Sequence, residues 1–266
     1  MLALLIGIIA AMLGIGGGVF IVPALKLLPL STKFTLDIAG GTSLAMIFFK
    51  ALSSSSSYAR QKRIDYKVGL LLATATIPGA ALGRYLAEIV PEELLVLIFA
   101  MFLLYAASRM IFNYSLGNFK LQINPRRGWR RRLIDSYGKT FEYIVDIKLG
   151  LPLSFLAGVS SGLLGIGGGA LMVPILHFAL SFPIHLAVAT SVFIMVFTSI
   201  SGFAVAVYYE RVEFSYAFLL IFGVIAGAQI GAYVSKHVSS KNLRRIFGLI
   251  LVFVSLRMIL EFLVWI

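Results

Sequence analysis

Cysteine is absent from all 266 residues, so disulfides, thiol chemistry and thiolate metal sites are excluded. Carboxylates are few, eleven against 23 lysines and arginines. None occupies the centre of an apolar run; Asp37, Asp65 and Glu261, for example, lie in loops or near run ends. Cation transporters and carboxylate proton relays need acids at membrane depth, and prenyl-transfer enzymes need paired acids to hold magnesium diphosphate, so both classes are disfavoured. Only three histidines are present. His177, His185 and His237 are scattered and lack the flanking carboxylates that a zinc site recruits, so no metal is expected and structural or snorkelling roles suit them better.

What fills the chain instead is apolar. The composition is 60% hydrophobic and 13% charged, whereas a soluble domain is about half apolar and a quarter charged. Runs long enough to cross a bilayer, about 20 residues, lie near 36–57, 66–87, 92–113, 185–209, 214–236 and 242–265, and two more, 2–28 and 150–180, carry clusters of glycine. The expected fold class is an all-α polytopic membrane protein of the cell membrane.

The glycine clusters repeat. "LGIGGGVFIVP" at 13–23 returns as "LGIGGGALMVP" at 164–174, and residues 7–25 match 158–176 at ten of nineteen positions. The opening "MLALLIGIIAAML" is therefore read as part of the fold and not as a signal peptide, whose charged n-region it also lacks. The correspondence continues: "GTSLAMIF" (41–48) with "ATSVFIMV" (189–196), "RID" (63–65) with "RVE" (211–213), "PGAALGRYLA" (78–87) with "AGAQIGAYVS" (226–235), and "SRMI" (108–111) with "LRMI" (256–259). Two membrane repeats, 1–113 and 150–266, flank an insert, 114–149, that holds eight Lys/Arg against three Asp/Glu. Its run "RRGWRRR" at 126–132 reads as a cytoplasmic juxtamembrane segment facing anionic lipid headgroups, and not as a nucleic-acid site.

Loop charges set the repeats against each other. After the second run, the first half carries Arg60, Lys62, Arg63 and Lys67, while its counterpart has Arg211 between two glutamates. After the third run the bias reverses, with Glu88, Glu92 and Glu93 in the first half and Lys236, Lys241, Arg244 and Arg245 in the second. Under the positive-inside rule equivalent loops lie on opposite sides, so the repeats are expected to be inverted. Inversion needs an odd number of crossings per half, yet each half has four runs. The glycine-broken run is expected to be a re-entrant helix pair, leaving three transmembrane helices per repeat, with 58–67, 114–149 and 236–245 in the cytoplasm. Residues 2–13 and 18–28 each span about half of a roughly 30 Å hydrocarbon core.

Broken helices at matching positions of two repeats point to a transporter's binding site. Gly14, Gly16, Gly17 and Gly18, with Gly165, Gly167, Gly168 and Gly169, remove side chains so that backbone N–H groups can face a ligand, and the downstream half-helices would aim their positive ends at an anion. The competing reading is close helix packing through small residues. "GIGGG" is not read as a dinucleotide loop, because no strand precedes it, and no cofactor is expected.

These paired glycine motifs, each followed by a "TS" helix start and a later "PGAALG" or "AGAQIG" helix, resemble the sulfite exporter TauE/SafE family of membrane permeases. The resemblance covers both halves; the long basic insert is less typical of it. It implies transport of small anions, mostly sulfur-containing ones such as sulfite, sulfoacetate and related organosulfonates, without choosing among them.

Around the breaks, Thr42, Ser43, Thr190 and Ser191 offer hydroxyl donors, with hydrogen bonds to their own helix as the alternative. Gln229 is a costly amide within an apolar run, either a ligand donor or a helix-to-helix bond. Lys50 is the one basic residue well inside a run, a candidate attraction for the anion or a snorkelling side chain; its repeat partner is Thr198. The expectation is a site held mainly by neutral donors, with Lys50 secondary. An intramembrane hydrolase using "SSSSS" at 53–57 is the enzyme alternative, but no histidine is identifiable as its base.

Overall fold

A computed structural model describes residues 1–27, 36–89, 92–112 and 128–265. The first glycine-broken run becomes α1, Leu2–Leu13, and α2, Gly18–Leu27. Three long helices follow: α3, Leu36–Arg60; α4, Tyr66–Leu86; and α5, Glu92–Phe112. The second half repeats this order. Its broken run is α6, Ile147–Leu164, then α7, Gly169–Pro174, which continues through a π-helical stretch, Ile175–Ala179; α8, Ile184–Tyr208, α9, Phe214–Ser235, and α10, Ser240–Trp265, complete it. Among the described residues α4, α6, α8 and α9 are both long and apolar enough to cross a membrane.

The breaks form because the chain adopts backbone angles that side chains resist. Gly14 ends α1 at φ +74° and Gly165 ends α6 at φ +65°, both in the left-handed cap conformation that glycine supplies at least cost. After each break the chain turns back along the helix it has left. Ala3 and Ile6 of α1 line the same cavity as Ile21 and Leu25 of α2, and Ser154 of α6 lies against Met172 of α7.

Helix pairing exchanges partners between the halves: α1 packs on α9, and α6 on α4, while α3 meets α8 and α5 meets α10. Small residues make the first two seams. Gly223, Gly227 and Gly231 lie against Ala3, Leu4 and Ile8 in the same order, so α1 and α9 run parallel. Gly158 and Gly162 lie against Thr76 and Ala80, so α6 and α4 run parallel too. Without side chains in the way the backbones approach closely, which is how helices associate in a membrane. Gly41 meets Ala206 and Leu44 meets Gly202, so α3 and α8 run antiparallel.

The insert departs from an all-α fold. Its described part forms a hairpin of β1, Trp129–Ile134, and β2, Thr140–Val145, paired antiparallel from Trp129↔Val145 to Ile134↔Thr140. Residues 113–127, with Arg126 and Arg127, lie outside the described residues. The hairpin forms because "TFEYIV" alternates: Phe141, Tyr143 and Val145 point inward and are buried. It docks through the Ser136 N–H, which donates to the Gln61 carbonyl (3.0 Å), while Gln61 Nε2 donates to the Ala232 carbonyl of α9 (2.9 Å). α6 then starts at Ile147, capped by Asp146, whose carboxylate accepts from the Lys148 and Leu149 N–H groups.

Candidate functional site

The two glycine breaks meet. A Cβ on Gly16 would lie 2.5 Å from the Ile166 carbonyl oxygen, one on Gly18 would overlap the Gly165 carbonyl, and one on Gly169 would overlap the Gly14 carbonyl. Close packing, the competing reading of the sequence, thus accounts for these glycines. Gly17 and Gly168 are different: at φ +98° and +72° they face their own hairpins, where a Cβ would come 3.3 Å from Ala10 Cβ and 3.2 Å from Ser161 Cβ respectively. Backbone conformation, more than contact with the other repeat, requires glycine at these two positions.

Each "TS" pair binds the opposite repeat. Ser43 Oγ lies between the Gly40 carbonyl (2.8 Å) and that of Gly165 in the second break. Ser191 Oγ donates to the Val188 carbonyl (2.8 Å) and lies 3.4 Å from the Gly14 carbonyl in the first break. Thr42 Oγ1 accepts from the Glu213 N–H (3.0 Å), and Thr190 Oγ1 accepts from the Asp65 N–H (3.1 Å). The four hydroxyls hold the two repeats together in this conformation. Gln229 Nε2 donates to the Ser53 carbonyl (2.7 Å) and lies near the Ser53 and Ser56 hydroxyls, a bond across the α3–α9 seam and not at the breaks.

Lys50 is placed otherwise. Ser43, Ile47, Lys50 and Ser54 recur at three- and four-residue steps on one face of α3. On that face Ser43 touches the Gly165 carbonyl and Ile47 lies against Gly167. The Lys50 side chain is fully buried, and its Nζ has no hydrogen-bond partner among the described residues. Snorkelling to water is therefore not what it does here. One turn toward the hairpin end the Ser54 hydroxyl donates to the Lys50 carbonyl, and Tyr58 donates to the Ala11 carbonyl of α1.

The matching position in the second half holds Thr198, whose Oγ1 lies 2.9 Å from Thr76 Oγ1. These threonines line a cavity of about 10 Å³ with Gly167, Gly168, Met172 and Ile194, room for about one water. A larger cavity, about 420 Å³, is lined by apolar residues of α1, α2, α3 and α9, among them Ile6, Ile21, Leu25, Met46 and Gly223.

Ion pairs close both ends of the bundle, and sequence reasoning did not find them. At the hairpin end Asp65 is buried; it caps α4 at the Val68 N–H (3.2 Å) and accepts from Tyr143 (2.7 Å) and from Arg131 Nε and Nη2 (2.8 and 2.7 Å). Burial pushes its carboxyl up, but these hydrogen bonds and the Arg131 charge outweigh burial and hold it below the usual carboxylate value. Arg63 donates to Asp135 of the hairpin through Nη2 (3.2 Å). At the far end Glu88 pairs with Arg84 (3.2 Å) and Arg211 (2.8 Å). The available signal was the correspondence of "RID" with "RVE", which placed Arg63 and Arg211 at equivalent turns.

The family model for the sulfite exporter TauE/SafE matches residues 1–258. The chain belongs to this family. A probable membrane transporter protein of Bacillus subtilis, YunE, is 30% identical over 264 residues, covering 98% of this chain and 96% of that protein. The probable membrane transporter protein MJ0441 of Methanocaldococcus jannaschii is 27% identical over 205 residues, 74% of this chain and 67% of its own. YdhB of B. subtilis, also a probable membrane transporter protein, is 27% identical over 198 residues, 74% of this chain and 73% of its own. No solved structure matches the chain significantly. The family and its relatives make this a multi-pass membrane transporter, and the hydrolase alternative falls with them. Consistent with that, the hydroxyls of Ser53, Ser54 and Ser56 donate to backbone carbonyls.

Proposed function

We propose that the chain is a secondary transporter for a small, sulfur-containing anion such as sulfite, sulfoacetate or another organosulfonate. The anion is held where the breaks Gly14–Gly18 and Gly165–Gly169 meet, beside Lys50. The observation that carries this is the Lys50 Nζ, buried among the described residues without an acceptor on the helix face that meets the second break. Buried charges need a partner, and no acid lies inside the apolar runs to supply one. The first N–H groups of α2 and α7 lack intrahelical acceptors and add partial positive charge. Because the Thr42, Ser43, Thr190 and Ser191 hydroxyls already bind protein backbone, Lys50 now ranks ahead of the neutral donors, reversing the order expected from sequence. Gln229 is the least supported member of the site.

The repeats work as an inverted pair, each with a re-entrant hairpin and three crossings, alternately exposing the centre to either side. The antiparallel course of α3 and α8 supports this reading. The hairpin end faces the cytoplasm, where Arg130 and the exposed Arg132 can meet anionic lipid headgroups. Purified protein should gain thermal stability from one or more of sulfite, sulfate, thiosulfate and sulfoacetate, and less from simple carboxylates, since a ligand of the native state stabilises by mass action. Protection by the sulfur anions should vanish in Lys50→Met. Protection by none of them, or undiminished protection in Lys50→Met, overturns the proposal.

A further inference from the structure

The site just proposed has an energetic problem when it is empty, and the solution deepens that reading and rests on it. An ammonium at membrane depth with no counter-charge is costly, by several kcal/mol in most accounts. Among the described residues Lys50 has no such counter-charge in sight. On α8, which lies across from it, the titratable groups are His185 and Tyr208, at the two ends of the helix. Leu44 meets Gly202 and Gly41 meets Ala206, so Lys50 stands level with about Met195, far from both. On α9 they are Tyr216 and Tyr233, each more than two turns from Ile225, where Ser53 meets that helix. α1 has none, α2 has Lys26 near its far end and α6 has Lys148 at its start. On α3 itself Asp37 and Arg60 are terminal, and Tyr58, two turns away, donates its proton to Ala11.

We infer that Lys50 carries a proton together with the anion, making this an anion–proton cotransporter in which the ammonium offsets one unit of the anion's charge in the loaded site. In the empty carrier the side chain is the neutral amine, which needs no counter-charge. On loading, the Nζ lone pair takes a proton from water on the side to which the site is open, and the resulting ammonium pairs with the anion. On the other side the anion leaves and the proton returns to water. No other bond forms or breaks, and one proton moves per anion in the same direction. A fixed positive charge, by contrast, would hold the anion and strand an ammonium in the empty site. Thr198, the matching residue, cannot take up a proton, so the duty falls on one repeat only.

The test uses the full chain in proteoliposomes containing a pH-reporting dye, driven by a gradient of thiosulfate or sulfoacetate, whose own titrations lie well below neutral pH. Thiosulfate or sulfoacetate uptake should acidify the lumen with a ratio near one proton per anion. Lys50→Arg should keep the anion's thermal protection but lose at least tenfold in coupled proton movement. Lys50→Met should lose both while eluting as the same monodisperse species. Anion flux in the wild type without proton movement overturns the inference and leaves the transport reading standing. Proton movement at an unchanged ratio in Lys50→Met also overturns it, by placing the coupling elsewhere. Movement of neither anion overturns both.

Discussion

At the far end of the bundle Arg211 binds Glu88, which also holds Arg84. At the hairpin end the matching arginine, Arg63, has no acid in the matching place, because Lys236 stands where Glu88 would be. It takes Asp135 from the inserted hairpin instead, and a second pair, Asp65 with Arg131, forms beside it. One end is thus closed by the repeat's own helices, the other by a segment the opposite repeat lacks. The same division runs through the centre. The breaks share their pattern of positive φ, whereas the residue facing them is Lys50 in one half and Thr198 in the other. Shared backbone gives the two halves one frame, and unshared charge is what distinguishes them.

If that division is right, changes to the frame should hurt equally in both halves. Gly17→Leu and Gly168→Leu are each expected to abolish anion transport in proteoliposomes while the protein still inserts. A leucine held at positive φ costs on the order of 1–3 kcal/mol, and its side chain would fill space beside Ala10 and Ile21 or beside Ser161. Normal transport with either substitution would return that glycine to a packing role and break the equivalence of the breaks.

Changes to charge should instead hurt one half only. Lys50→Thr should weaken anion binding by roughly ten- to a hundredfold, about 1.5–3 kcal/mol for a bond to a charged group. Thr198→Lys in the same chain should restore part of it, since both positions face the breaks. Equal binding by Lys50→Thr and wild type in an anion titration would mean that charge does not distinguish the halves.

How much of this was legible beforehand follows from where each signal resides. The breaks, the long helices and the duplication were readable because glycine clusters and apolar runs are local and occur twice. The hairpin was hidden: six alternating residues, "TFEYIV", sit next to a run of arginines whose charge suggested a solvated loop. The hydroxyls were identified as important, but their partners lie 122 and 177 residues away, at Gly165 and Gly14, and no local pattern gives such a pairing. Lys50 was visible as a cation in an apolar run; that its Nζ lacks a partner depends on three-dimensional surroundings alone.

The ends differ in burial as well as in origin, and that should appear in stability. Asp65→Asn removes a buried carboxylate that Arg131 grips with two bonds, at a cost of about 2 kcal/mol. Arg211→Gln should cost at most about 1 kcal/mol, because Arg211 is 39% exposed and Glu88 keeps its pair with Arg84. Acidification gives the same comparison without mutation. The Asp65 carboxyl titrates below its ordinary value in the fold, so its contribution is present above the unfolded value of about 3.9 and is lost as pH falls through the folded one. Thermal unfolding in detergent between pH 6 and pH 3 should therefore fall less steeply in Asp65→Asn than in wild type. Parallel curves would show that this end is not held by the carboxylate.

The smallest expected difference lies in the two threonines, which do the same thing in both halves but under different cover. Thr42 Oγ1 accepts the Glu213 N–H ahead of α9, and Thr190 Oγ1 accepts the Asp65 N–H ahead of α4. Replacing either by valine keeps the shape and removes the acceptor, so an N–H is left without its partner at about 1 kcal/mol. The two losses should not be equal. Asp65 is 1% exposed beneath the hairpin, so no water reaches its N–H when the threonine hydroxyl is gone. Glu213 is only half-buried, and solvent can take over as acceptor there. Thr190→Val should thus lower thermal stability more than Thr42→Val, by several tenths of a kcal/mol on the same scale. Deleting the hairpin strands, residues 129–145, should remove that difference, because the Asp65 N–H would then meet water as the Glu213 N–H does. Equal losses in the intact chain would mean that the inserted hairpin does not seal its end, and that the two ends differ in composition only.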